Sequence, residues 1–96
     1  EVPEATVVVT NPQHFAVALQ YLEEKMPAPV VTAKGAGYLA QKIKEIAAEH
    51  EVPVIRQPEL ARALYHQTEP GQEIPAELYQ AVAEIIATVY KLDKNY

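Results

Sequence analysis

The 96-residue sequence predicts a small α/β domain, in which a sheet of about four strands packs with three to four helices. Short runs of β-branched and apolar residues fill the first third of the chain, and such runs are typical of strands. Longer segments follow in which apolar residues recur three or four positions apart, as they do in amphipathic helices. Hydrophobic residues make up 49% of the chain, which is enough for the core of a single domain covering residues 1–96.

Three strands are predicted before residue 34. Thr6–Thr10 is a β-branched run, and Phe15–Leu19 follows it after a turn. From Phe15 as far as Tyr21, large side chains alternate with small or polar ones, which predicts a strand that carries its large residues on one face. An alanine-rich helix is the alternative interpretation of this second run. Pro29–Ala33 is the third predicted strand.

The segment Ala36–His50 predicts a helix, because its isoleucines fall on one face and its charged residues on the other. Val52-Pro53 ends this helix, since a residue that precedes proline is pushed out of the helical region. Pro53–Arg56 is the fourth predicted strand. Together with the third strand and the helix between them it forms a predicted βαβ unit, which is expected to be right-handed.

Two further helices are predicted in the last third of the chain, each opened by a proline, which is well tolerated in a first helical turn. Pro58 opens a short helix that runs through Tyr65, and Pro75 opens the last helix after a turn at Glu69-Pro70-Gly71. The apolar stripe of the last helix consists of Leu78, Val82, Ile85, Ile86 and Val89.

The turn between the first two strands, Asn11-Pro12-Gln13-His14, has a chemistry of its own. The side-chain amide of Asn11 can attack the carbonyl carbon of the same residue, closing a succinimide and expelling the nitrogen of Pro12. The competing attack that leads to deamidation is impossible, because proline has no N–H. His14 is near enough to move a proton at neutral pH. On these residues alone, an ordinary turn is the simpler interpretation.

Composition argues against several classes of function. The net charge of −5 disfavours nucleic acid and anionic lipid as partners. The absence of cysteine excludes disulfides and thiolate chemistry. His14, His50 and His66 lack the spacing of helical metal ligands, so no metal site is predicted. No apolar run is long enough to span a bilayer, and no signal peptide is evident.

One motif suggests a nucleotide site. Gly35-Ala36-Gly37-Tyr38-Leu39-Ala40 fits the loose dinucleotide pattern G-x-G-x-x-A, and Arg56 follows at a distance suited to a 2′-phosphate. The chain is nevertheless too short for a second nucleotide-binding half. We therefore expect that the glycines only allow a sharp passage from strand to helix, and that the domain uses no nucleotide or other cofactor.

The segments around the turn resemble the FlhB/YscU family, the cytoplasmic switch domains of type III secretion in flagella and injectisomes. The resemblance extends over nearly the whole chain. It is carried by Val7-Val8-Val9-Thr10-Asn11-Pro12, His14-Phe15-Ala16-Val17-Ala18-Leu19, Ala28-Pro29, Ala33-Lys34-Gly35, Ile43-Lys44-Glu45-Ile46-Ala47, Glu49-His50, Val52-Pro53-Val54, Leu60-Ala61-Arg62-Ala63-Leu64-Tyr65, Gly71-Gln72-Glu73-Ile74-Pro75 and Leu78-Tyr79-Gln80-Ala81-Val82-Ala83-Glu84. Gly35-Ala36-Gly37 and Val89–Leu92 look more flagellar than injectisome-like.

The resemblance implies self-cleavage between Asn11 and Pro12, with His14 as the third matching residue. The pieces would be residues 1–11, the N-terminal strand, and residues 12–96. The family motif reads Asn-Pro-Thr-His, so Gln13 departs from it. Two functions follow as alternatives: a self-cleaving switch from rod-hook or needle substrates to late ones, or a non-cleaving binding module in which Gln13 has weakened or abolished the reaction. A turnover enzyme is not expected.

The resemblance also implies partners and a location. Export substrates, a ruler protein that reports hook or needle length, and the large cytoplasmic export-gate subunit are the expected partners. A small apolar surface that receives a short hydrophobic export signal would comprise Ala28, Pro29, Ala83 and Ile86. The parent protein would be anchored in the bacterial inner membrane by helices upstream of Glu1, with this soluble domain on the cytoplasmic face.

Overall fold

The computed structural model describes residues 1–12 and 14–94, and within them it has one four-stranded sheet with helices on both faces. The fold class is the predicted one. In chain order the elements are β1 (Val7–Asn11), β2 (Phe15–Gln20), β3 (Val30–Ala36), α1 (Tyr38–Glu49), β4 (Val54–Arg56), α2 (Pro58–Gln67), a 3-10 turn (Ala76–Leu78) and α3 (Tyr79–Lys94).

Strand β1 lies inside the sheet, whose order is β3-β2-β1-β4. It pairs with β2 in antiparallel fashion over five positions and with β4 in parallel over three. Val7, Val8 and Val9 are completely buried, because helices cover both faces of the sheet. This explains why the strand is a continuous β-branched run and does not alternate with polar residues.

The alternation in β2 separates two cores, which confirms the strand interpretation and makes the helical alternative wrong. Val17 and Leu19 face a large core built with α2 and α3. Ala16 and Ala18 face a smaller core that includes Ile43 of α1. The small side chains on this second face leave room for α1 to lie close to the sheet.

Strand β3 is longer than the sequence suggests, and α1 begins later. The predicted end at Ala33 is wrong, since β3 continues to Ala36 and pairs with β2 along this extension. Only Gly37 makes the turn, with φ of +57°. A Cβ added to Gly35 would lie 2.8 Å from that of Leu39, so Gly35 permits close packing of α1 on the strand. Gly35 and Ala36 are therefore strand residues and do not form the phosphate-binding loop that the dinucleotide pattern requires.

The βαβ unit of β3, α1 and β4 exists, but its two strands are not neighbours. Strand β3 is antiparallel to β2, β2 is antiparallel to β1, and β1 is parallel to β4, so β3 and β4 run in the same direction. They lie at opposite ends of the strand order, with β2 and β1 between them. Among the described residues, no helix is long and apolar enough to cross a membrane.

Candidate functional site

The predicted cleavage turn joins β1 to β2 at the end of the sheet. Asn11 is the last residue of β1 and pairs with Phe15, the first residue of β2. The backbone N–H of His14 donates to the carbonyl oxygen of Asn11 at 2.9 Å, which closes a four-residue turn. This carbonyl is the one that an Asn11 cyclisation would attack. Gln13 lies outside the described residues.

The Asn11 side chain lies against the beginning of α2. It is only 8% exposed, and its Nδ2 donates to the carbonyl oxygen of Pro58 at 3.4 Å. The backbone N–H of Gln57 donates to the carbonyl oxygen of Thr10 at 3.0 Å, which joins this part of the chain to β1. Burial and these contacts restrict the rotation of the amide that would act as nucleophile.

His14 is held by its backbone and free at its side chain. In addition to the bond to Asn11, its carbonyl oxygen accepts a hydrogen bond from the N–H of Gly37 at 2.9 Å. The imidazole is exposed, and its ring centre lies 6.2 Å from that of Phe15. Phe15 in turn stacks on Tyr65 of α2 at 4.5 Å. The end of the turn is therefore anchored while the imidazole remains accessible to water.

Arg56 is a residue of this site that sequence reasoning missed. It lines a cavity of about 240 Å³ together with Asn11, Pro12 and His14. The sequence analysis considered Arg56 only as a contact for a nucleotide phosphate. Its place beside the turn follows from the parallel pairing of Arg56 with Thr10, which no local sequence signal indicates.

The four residues of the implied export-signal surface do come together. Ala28, Pro29, Ala83 and Ile86 all line one groove of about 360 Å³, which lies between the loop after β2 and one face of α3. Ala83 is exposed, whereas Ile86 is only 6% exposed and also belongs to the large core. Ile86 therefore contributes both to the floor of the groove and to the stability of the domain.

Sequence reasoning missed the aromatic part of this groove. Tyr21, Tyr79 and Tyr90 also line it, with Ala87 beside Ile86. Tyr79, Ala83, Ile86 and Tyr90 are spaced by four, three and four residues, which places them on one face of α3. That spacing was a usable signal, because the core stripe of Val82, Ile85 and Val89 accounts for a different face.

A metal centre finds no support in this part of the chain. Over residues 1–12 and 14–94, no three histidine, aspartate or glutamate side chains gather as a ligand set. The helix-end position expected for His50 agrees with the structure, where His50 is the C-cap of α1. His66 packs edge-on against Phe15, at 5.3 Å between ring centres.

Comparison with known proteins identifies the family. The model of the "FlhB HrpN YscU SpaS Family" matches residues 1–89, so the chain belongs to this family. It is 58% identical over 94 residues to the flagellar biosynthetic protein FlhB of Salmonella typhimurium, covering 98% of this chain and 24% of that protein. It is 61% identical over 97 residues to FlhB of Aquifex aeolicus, covering 100% of this chain and 28% of that protein. The chain thus spans about a quarter of the length of these relatives.

Solved structures of the family share the fold. The crystal structure of the cytoplasmic domain of FlhB from Shewanella putrefaciens superposes with a TM-score of 0.92 at 45% identity, covering 98% of this chain and 72% of that one. A mutated EscU C-terminal domain superposes with a TM-score of 0.91 at 33% identity, covering 99% of this chain and 93% of that one. The domain is therefore of the kind found at the cytoplasmic end of FlhB and the C-terminal end of EscU.

Proposed function

We propose that this chain is the cytoplasmic switch domain of a flagellar-type protein export apparatus, and that it cuts itself between Asn11 and Pro12. The observation that carries the proposal is the hydrogen bond from the His14 N–H to the Asn11 carbonyl oxygen, 2.9 Å long. The residue that supplies the nucleophile also supplies the electrophile, and the turn polarises that electrophile.

The reaction needs only residues of the turn. The Asn11 amide nitrogen bonds to the carbonyl carbon of the same residue, and the oxygen of that carbonyl gains negative charge. The His14 N–H already points at this oxygen and stabilises the charge without rearrangement. The bond between the carbonyl carbon and the Pro12 nitrogen then breaks. A proton passes to that nitrogen, through water or the accessible His14 imidazole, and residue 11 is left as a succinimide.

The cut is expected to change the turn and leave the sheet intact. Strand β1 is held by β2 on one side and by β4 on the other, and neither ladder depends on the Asn11–Pro12 bond. The new ends at residues 11 and 12 are freed, and the surface around the turn can rearrange. Such a local change is suited to a switch in which the domain receives early substrates before the cut and late substrates after it.

The apolar groove supports a second part of the proposal, the binding of export substrates. Its alanine, proline and tyrosine lining suits a short hydrophobic signal, and the only carboxylate in the lining is Glu23. A ruler protein and the large cytoplasmic export-gate subunit are proposed as further partners. The parent protein is proposed to be anchored in the bacterial inner membrane, with this domain on the cytoplasmic face.

The alternative is a non-cleaving export-gate module of the same fold. Gln13 favours it, because glutamine stands where the family motif has threonine. A threonine hydroxyl can bond locally and fix the turn, whereas glutamine is longer and loses more side-chain entropy when held. The reacting atoms belong to Asn11 and Pro12, however, so we expect Gln13 to slow the cut without preventing it.

A time course of fragment formation tests the proposal. The purified chain is incubated at neutral pH, and the fractions of residues 1–11 and 12–96 are followed on denaturing gels. Asn11→Ala should remain intact, His14→Ala should cut more slowly, and Gln13→Thr should cut faster than the natural chain. Cutting of Asn11→Ala would rule out the cyclisation. A natural chain that stays intact until Gln13→Thr is introduced would favour the non-cleaving module.

A further inference from the structure

Arg56 occupies an unusual position for an exposed cation. It is the last residue of β4, pairs with Thr10 and lines the same cavity as Asn11, Pro12 and His14. Across residues 1–12 and 14–94 the structure has one ion pair, between Lys34 and Glu69, so Arg56 has no carboxylate partner there. The guanidinium thus lies beside the bond that the proposed reaction breaks, with its charge uncompensated.

A second source of positive potential lies next to this cavity. Helix α2 starts at Pro58, whose carbonyl oxygen contacts the Asn11 amide, and its N-cap residue Gln57 makes no side-chain capping bond. The first turn of a helix carries partial positive charge and favours a nearby anion. Glu59 in that turn is exposed and is not part of the cavity lining.

We propose that Arg56 binds the carboxylate that the cut creates on residue 11, and so holds the new end of β1 in the sheet. The proposal rests on the self-cleavage described above. When water opens the succinimide it adds across one of the two ring C–N bonds. One carbonyl becomes a carboxylate and the ring nitrogen becomes a primary amide. Either direction of opening leaves a single carboxylate on residue 11, within the cavity that Arg56 lines.

The proposed pairing gives Arg56 a role only after the reaction. Before the cut, the Asn11 carbonyl is neutral and is already bonded by His14. After the cut, residue 11 carries a full negative charge, and the Pro12 nitrogen becomes a cation on a chain end that is free to move away. Arg56 stays in place because β4 remains paired with β1. The pairing favours a cut domain whose first strand remains seated.

The experiment uses a cut form that does not depend on self-cleavage. In Asn11→Asp, the new Asp–Pro bond is the only one in the chain, because Asp93 precedes lysine, and such bonds break in dilute acid under denaturing conditions. The refolded two-piece domain and the uncut Asn11→Asp domain differ by the α-carboxylate and the Pro12 amine. Each is prepared with Arg56, Arg56→Gln and Arg56→Lys, and the unfolding rate is measured by circular dichroism in a fixed urea concentration at low salt.

We expect Arg56→Gln to accelerate unfolding of the cut domain roughly threefold more than that of the uncut domain, the size typical of an exposed ion pair. Arg56→Lys should recover at least half of the difference, and high salt should abolish it. An equal effect on the cut and uncut domains, or a difference that persists in high salt, would overturn the proposal. Failure of the natural chain to cut would contradict the proposed function and leave this result unchanged.

Discussion

Retention of residues 1–11 after the cut is the most quantitative consequence of this fold. Val7, Val8 and Val9 are completely buried, and burial of a valine side chain contributes about 1.5–3 kcal/mol. The three valines together therefore contribute about 5–9 kcal/mol, in addition to the ladders with β2 and β4. Because β1 lies between these two strands, its departure would open both cores. We expect the fragment to leave only when the domain unfolds.

Val8→Ala is the perturbation that measures this coupling. It removes two methyl groups from the smaller core, where Val8 packs with alanines of β2. At about 0.8 kcal/mol for each group, with a further cost for the cavity, the loss is about 2 kcal/mol. That corresponds to a change of roughly 30-fold in the equilibrium between seated and released fragment. Glu4→Ala is the matched control, because Glu4 is exposed and uses only its backbone carbonyl in a hydrogen bond.

The assay is size-exclusion chromatography of the cut domain, with the two fragments detected by mass in each fraction. In native buffer, residues 1–11 should elute with residues 12–96. In increasing urea, they should separate at the concentration where circular dichroism reports unfolding, and Val8→Ala should lower this concentration while Glu4→Ala should not. Loss of the fragment from a domain that keeps its native spectrum would refute the reasoning.

Two further predictions concern the groove and the end of α2. Ala83→Glu should weaken binding of an early export substrate at least tenfold without lowering the melting temperature, because Ala83 is exposed in the groove; Ala81→Glu, exposed on the same helix but outside the groove lining, is the control, and equal binding by both variants would count against the docking proposal. Lys34→Met should lower the free energy of unfolding in urea by about 1.5–3 kcal/mol, since the ammonium donates to the carbonyl oxygens of Tyr65 at 2.7 Å and Thr68 at 2.8 Å; Lys25→Met, at an exposed lysine, should have little effect, and equal losses in both variants would show that the capping is unimportant.

The groove result also changes the choice of variant. A charge at Ile86 appears from the sequence to be a suitable test, because Ile86 belongs to the implied surface. Ile86 is only 6% exposed and packs in the large core, so Ile86→Asp would bury a carboxylate and destabilise the domain. Loss of binding in that variant would not distinguish docking from folding.

The sequence predicted those features that depend on local pattern. The β-branched run of β1, the period-two alternation of β2 and the proline at the start of α2 each indicate their element without reference to the rest of the chain. The Asn11-Pro12 turn was recognisable for the same reason. The end of β3 was not, because Gly35 and Ala36 have weak strand propensity and are held in the strand by pairing with β2.

Features that depend on contacts between distant segments were beyond local patterns. The positions of β2 and β1 between β3 and β4 follow from competition among strands for the middle of the sheet, where β1 buries both faces. The same arrangement brings Arg56 to the cleavage turn. The groove was located through the family resemblance, while its tyrosines required the packing of α3 against the loop after β2.

The mass of the fragment 1–11 at the earliest times of the reaction tests the central claim most directly. Cyclisation of Asn11 predicts that the fragment first appears one water lighter than the peptide ending in asparagine, and that it gains this water as the succinimide opens. The reaction is stopped in cold acid to preserve the ring. A fragment that has the full hydrated mass from its first appearance, or that ends at another residue, would contradict the account.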